Sequence, residues 1–158
     1  TIPGLPIIYY GDEIGIPGGG DPDNRRPMYF TGLSEHETEN LATTQKLGQL
    51  RSQFLPFIYG DFTFLKIEQK ILVYSRKYFE EFAIVYFNKT RETQTIEVTL
   101  PQHVDYSELQ SFSQCRYYLR NSQLFVEIPA MCFEIIYHKL PEKTTPTSTV
   151  IHYEDFLD

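Results

Sequence analysis

The chain has 158 residues, enough for one ordinary domain or slightly more and for a substantial core. Its formal net charge of −7 argues against a nucleic-acid surface, which needs a basic patch, and fits neutral or cationic partners, neutral sugars among them. No charged n-region precedes an apolar stretch, and no apolar run approaches the roughly 20 residues that span a bilayer, so neither a targeting segment nor a membrane partner is expected in these residues.

Aromatic residues reach 15%, as 12 Tyr and 12 Phe without Trp, a content that suits a β-rich fold with aromatic cross-strand pairs. Cys115 and Cys132 are too few for a disulfide scaffold and lack metal-site spacing; they are either bridged or buried as free thiols.

In chain order, Leu5-Pro6-Ile7-Ile8-Tyr9-Tyr10 is an uninterrupted apolar run with β-formers and no polar alternation. That pattern predicts a strand buried on both faces, as in parallel sheets. Gly11 ends it. Asp12 and Glu13 follow as paired carboxylates, but neighbours on an extended segment point to opposite sides. They cannot flank one scissile bond, so a structural role is expected, capping the loop or pairing with Arg25 or Arg26.

Gly15 to Pro27 holds four glycines and three prolines in thirteen residues, which makes it a shaped loop. Gly18-Gly19-Gly20 is no phosphate cradle, because the Lys-Ser/Thr pair is absent and no helix is predicted to start there. Asp21 and Arg25 stand four apart. Together they offer an acceptor and a forked donor suited to vicinal sugar hydroxyls, and equally a local salt bridge that holds the loop.

Ser34-Glu35-His36-Glu37 is a capping box, and Leu41, Leu47, Leu50 and Phe54 keep one face apolar until Pro56. A helix over Glu35 to Gln53 is predicted, with Gly48 permitting close approach to a neighbour. One strand and one helix form a single βα unit, which needs neighbouring strands to be stable.

From Asp61 the pattern changes to short strands: Phe62 to Phe64, Ile71 to Tyr74, Phe82 to Phe87, Ile96 to Leu100, Cys115 to Leu119, Leu124 to Ile128 and Phe133 to Tyr137. Their spacing predicts an antiparallel Greek-key sandwich over residues 59–140, after a first unit at 1–58. Pro141 to Thr149 reads as a polar Thr/Pro linker, expected to be extended or disordered, and the tail to Asp158 can dock as a terminal strand. His36, His103, His138 and His152 are scattered without ligand spacing, so no metal site and no cofactor is read in this segment.

Pro6, the string Ile8-Tyr9-Tyr10-Gly11-Asp12-Glu13-Ile14-Gly15, and Gly19-Gly20-Asp21-Pro22-Asp23-Asn24-Arg25-Arg26 together resemble the eighth strand and following loop of the (β/α)8 barrel in the α-amylase family of glycoside hydrolases. The likeness is to its neopullulanase and cyclomaltodextrinase branch above all. The order of parts is similar too, since a β domain follows the barrel there, though from Asp61 onward the sequence match is weak.

The resemblance implies the C-terminal part of a TIM-barrel enzyme: the last βα unit, then domain C. It implies that Asp21 and Arg25 bind glucose units on the non-reducing side of the cleavage point, with Asn24, Arg26 and Asp23 shaping the loop. The implied partners are an α-glucan or maltooligosaccharide substrate and the preceding barrel of the same chain. The family works by a retaining mechanism with an Asp nucleophile on the fourth barrel strand, a Glu acid/base on the fifth and a stabilising Asp after the seventh. The resemblance places no catalytic residue in this stretch, so the segment is expected to be inactive alone. Another function class compatible with the residues is a non-catalytic glucan-binding or interaction module, in which the aromatic-rich β domain carries the function.

Overall fold

The computed structural model of the protein describes residues 1–100 and 108–140; the expected linker and tail, with His103 and His152, lie outside the described residues. From Asp61 onward the described residues build eight strands: β1 (Asp61–Ile67), β2 (Ile71–Tyr78), β3 (Glu81–Asn88), β4 (Gln94–Thr99), β5 (Gln110–Ser111), β6 (Tyr117–Arg120), β7 (Gln123–Ile128) and β8 (Cys132–His138). They form a five-stranded sheet in the order β1-β2-β3-β8-β5 and a three-stranded sheet in the order β4-β7-β6. Every pairing is antiparallel. After visiting the second sheet the chain returns through β8 to lie beside β3.

Alternation along the strands decides which side chains enter the core. Ile96 and Val98 of β4 and Leu124, Val126 and Ile128 of β7 meet Val73, Ile84, Tyr86 and Ile136 of the larger sheet between the two layers. The opposite face of the larger sheet is also covered. Tyr74, Ala83, Val85 and Ile135 pack there with Phe54 and Phe57, and with the half-buried Leu47 and Leu50. This explains why β3 reads Phe82-Ala83-Ile84-Val85-Tyr86-Phe87, a continuous apolar run: it is buried on both faces.

The helical layer is α1 (Glu35–Gln53) followed by the short α2 (Leu55–Tyr59). The capping box is complete, with Ser34 accepting from the Glu37 amide and Glu37 bonding back to Ser34 N at 2.7 Å. Gly60 closes α2 where no Cβ fits: one would lie 2.4 Å from Pro56 O and 2.8 Å from Lys77 O.

Several expectations change. Leu5–Tyr10 is not a strand: it pairs with nothing among the described residues, and Leu5 and Ile7 are each 92% exposed. A parallel strand exists only by virtue of its neighbours, and this sequence contains no second βα unit to supply them. Gly48 makes no close approach, since an added Cβ there meets nothing within 4 Å. β5 and α2 were not expected, and the strand expected from Cys115 starts at Tyr117. Both cysteines are free thiols, Cys132 exposed and Cys115 half-buried, with burial pushing the Cys115 thiol up to about 12.

Candidate functional site

The segment that precedes the β layers ends in a tight turn. Asp12 N bonds Tyr9 O at 3.0 Å and Ile16 N bonds Gly11 O at 2.9 Å, while the buried Ile14 anchors the turn. Gly11 sits at φ +91, and a Cβ there would strike Ile16 Cδ1 at 2.7 Å, so only glycine serves. Asp12 and Glu13 therefore lie in a turn and not on an extended segment. Each carboxylate binds a different backbone amide, Asp12 Oδ2 accepting from Tyr9 N at 3.2 Å and Glu13 Oε2 from Gly11 N at 2.8 Å. They cap the turn; neither is ion-paired with Arg25 or Arg26 among the described residues.

The following loop holds itself together through Asp23. Its Oδ2 accepts from Gly19 N at 2.8 Å, and Arg26 forks onto it, Nε to Oδ1 at 2.9 Å and Nη2 to Oδ2 at 3.1 Å. The Arg26 fork, helped by the Gly19 amide, holds the Asp23 carboxyl below its ordinary value. Asp23–Arg25 adopts one 3-10 turn, which brings Arg25 Nε to 2.8 Å from Asp21 Oδ1. The Asp21 and Arg25 side chains are 61% and 69% exposed, so solvent screens this ion pair and it stabilises the loop little. What the pair does provide is an oriented carboxylate and a guanidinium with both terminal nitrogens unbound among the described residues.

Arg25 faces a groove of about 530 Å³ whose lining includes Tyr9, Tyr10, Asp12, Asn24 and Arg26. Tyr9 and Tyr10 rings lie 4.5 Å apart at 42°. The groove thus combines apolar ring surface with forked donors and a carboxylate, the chemistry that grips a polyhydroxylated ring. The two tyrosines were hidden from the sequence reading by their place in an apolar run; the available signal was their position directly before Gly11.

Two arginines fix the start of the chain, Arg51 to the helical layer and Arg76 to β2. Arg51 Nη1 donates to Phe57 O at 2.8 Å and to Ile2 O at 3.3 Å, and Nη2 donates to Gly4 O. The buried Arg76 donates to Thr1 O at 2.6 Å, Gly60 O at 3.0 Å and Asp61 O at 3.2 Å.

The profile of a family described as the α-amylase C-terminal domain matches residues 60–125, from Gly60 into the first half of β7. The chain is 33% identical over 103 residues to a cyclomaltodextrinase of Geobacillus thermopakistaniensis, covering 64% of this chain. It belongs to the α-amylase family of glycoside hydrolases.

Other members of the α-amylase family agree. A 113-residue match at 32% identity to a cyclomaltodextrin glucanotransferase of Bacillus covers 70% of this chain and 16% of that protein. The α-amylase of Geobacillus thermoleovorans, solved with acarbose, superposes with a TM-score of 0.72 at 33% identity over 89% of this chain and 31% of its own. An Anoxybacillus α-amylase gives a TM-score of 0.72 at 28% identity, covering 87% of this chain and 30% of that one. The chain spans only 17% of the cyclomaltodextrinase's length, so it corresponds to a small part of such a relative. The profile covers β1 to β6 and the start of β7, while Asp21, Arg25 and the groove lie ahead of it.

Proposed function

We propose that the chain is the C-terminal part of an α-glucan-processing retaining glycoside hydrolase, in which residues 1–58 complete a catalytic barrel and residues 59–140 form a stabilising β domain. The observation that carries this reading is Arg25, ion-paired with Asp21, lining the groove that Tyr9 and Tyr10 also line. Arg25 donates to neighbouring hydroxyls of a glucose unit while Asp21 accepts from them and fixes the guanidinium's orientation. Tyr9 and Tyr10 supply ring surface for the sugar's C–H face. Asp23, Asn24 and Arg26 shape the loop so that this pair is held before substrate arrives.

The reacting bond is served by carboxylates outside the residues given, and the loop's contribution is to hold the donor-side glucose in register with them. Such positioning matters because misplacement of the reacting atoms is costly even when binding persists. The bare, apolar Leu5–Tyr10 segment supports the same reading, since it has the surface of a strand that needs a neighbour on each edge.

The test is equilibrium binding of maltooligosaccharides to the complete enzyme carrying Asp21→Asn. Loss of a charge-assisted contact of about 1.5–3 kcal/mol weakens binding by roughly ten- to a hundredfold. Unchanged affinity removes Asp21 from the substrate.

A further inference from the structure

A second groove, of about 250 Å³, lies between the first segment, α1 and the outer face of the larger sheet. Pro6 and Ile8 line it from the first segment, and Val85, Phe87 and Ile135 from the sheet. α1 contributes Thr44, Leu47, Gly48 and Arg51, whose spacing of three, four and seven residues from Thr44 is that of a single helix face. Gly48 leaves this face open, since an added Cβ there meets nothing within 4 Å.

The polar groups at this groove are few and already engaged. Arg51 gives its terminal nitrogens to the carbonyls of Ile2, Gly4 and Phe57. Thr1 Oγ1 is hydrogen-bonded to Tyr74 Oη at 2.7 Å, and Thr1 O accepts from Arg76 at 2.6 Å. Among the described residues no carboxylate or amide side chain lines the groove, so it offers little to a sugar or a cation. Its volume is below the range of about 300–1,000 Å³ that holds small-molecule ligands. What it fits is a few apolar side chains of a protein segment.

We propose that this groove seats the helix that precedes Thr1 in the complete chain, with apolar side chains of that helix against Ile8, Leu47 and Val85 and its backbone close to Thr44 and Gly48. The inference rests on the function proposed above, because in a (β/α)8 barrel the element before the last strand is a helix. Two observations select this occupant. Thr1 lines the groove and is held there by Tyr74 and Arg76, so the residues before it leave from the groove's edge and meet it at high effective concentration. The chain spans 17% of the cyclomaltodextrinase and 31% of the Geobacillus thermoleovorans α-amylase, so most of such a relative lies outside the matched part. The short side chains of Thr44 and Gly48 let a second helix come within the packing distance of about 8–10 Å. Ile8 stands directly before Tyr9 and Tyr10, so a helix seated here also steadies the run that leads into the sugar-binding groove.

The test introduces single thiols into the complete enzyme and measures their rate of reaction with a maleimide, the modified peptide being identified by mass spectrometry to set Cys115 and Cys132 apart. Gly48→Cys and Thr44→Cys place the thiol in the groove, while Gln49→Cys, exposed and on the opposite side of α1 by helical spacing, is the reference. Both groove thiols are expected to react at least about tenfold more slowly than the reference. Thr44→Cys adds no bulk, so its result decides the matter where Gly48→Cys fails to fold. Groove thiols that react as fast as the reference overturn the proposal. Protection that is lost on dilution assigns the groove to a second copy of the chain and overturns it too. Turnover of a maltooligosaccharide, measured alongside, separates the two readings. Reactive groove thiols in an active enzyme overturn the docking alone, and protected thiols in a protein that acts on no α-glucan uphold the docking and overturn the glycosidase reading.

Discussion

Glu134 and Tyr86, cross-strand partners on β8 and β3, show how a buried polar group stabilises the fold when it is partnered and costs stability when it is not. Glu134 is buried, and its carboxylate accepts from Phe112 N at 2.9 Å, Ser113 N at 3.1 Å and Ile135 N at 2.8 Å. Glu134→Ala takes the acceptor from the Ser113 amide, while Phe112 N keeps Ile135 O at 3.0 Å, so a loss of about 1–3 kcal/mol is expected in urea unfolding. Tyr86 is the counter-case: its hydroxyl is buried with no partner among the described residues, and burial raises its pKa. Tyr86→Phe removes an unsatisfied group without emptying the core, and is expected to be neutral or stabilising by up to about 1 kcal/mol in the same measurement. Neither property was legible in the sequence, because Glu134 and Tyr86 each sit inside an apolar strand pattern. By contrast, Asp21 and Arg25 stood out at once, since the glycines and prolines around them marked a shaped loop. Asp12 and Glu13 were legible as structural acids, but the geometry expected for them was wrong because Gly11 turns the chain before the carboxylates rather than after them.

At the scale of elements, α1 was readable to its ends, because a capping box and a proline are local signals that need no tertiary context. β5 was not readable: its two residues are strand only through their register with Tyr137 and Ile136 of β8. The capping box also makes a pH prediction. Hydrogen bonds from Tyr29 Oη and then from Ser34 N and Oγ hold the Glu37 carboxyl below its ordinary value. The folded helix end therefore binds this proton more weakly than the unfolded chain does. Its contribution is full above the unfolded pKa of about 4.3 and drains away as pH falls through the lower folded value. An acid titration followed by the Glu37 and Thr38 amide shifts in NMR should show the first turn of α1 loosening only in that range; loosening near neutral pH is the contrary result. The junction between α2 and β1 is more demanding still, because Gly60 is wedged between Pro56 O and Lys77 O. Gly60→Ala is expected to cost about 1–3 kcal/mol by forcing the backbones apart, read as a lowered melting temperature.

For the whole molecule, the antiparallel layers were legible because each strand carries its own pattern, and most predicted strands overlap those observed. The first segment was not: the apolar run Leu5–Tyr10 predicts a strand, yet it pairs with nothing among the described residues. Leu5 and Ile7 stand exposed, and each such side chain gains about 1.5–3 kcal/mol on burial. The isolated 158-residue chain is accordingly expected to self-associate with rising concentration, and Leu5→Lys with Ile7→Lys to restore the monomer, as measured by sedimentation. A parent chain that stays monomeric throughout contradicts the view that this segment needs covering.

We propose that the loop carrying Asp21 and Arg25 holds the donor-side sugar of an α-glucan. Its most direct test is kcat/KM of the complete enzyme on maltooligosaccharides with Arg25→Ala, the fold being checked by melting temperature. A fall of roughly ten- to a hundredfold is expected, the effect of losing about 1.5–3 kcal/mol of charged hydrogen bonding in the transition state. An unchanged kcat/KM in a well-folded variant would contradict it.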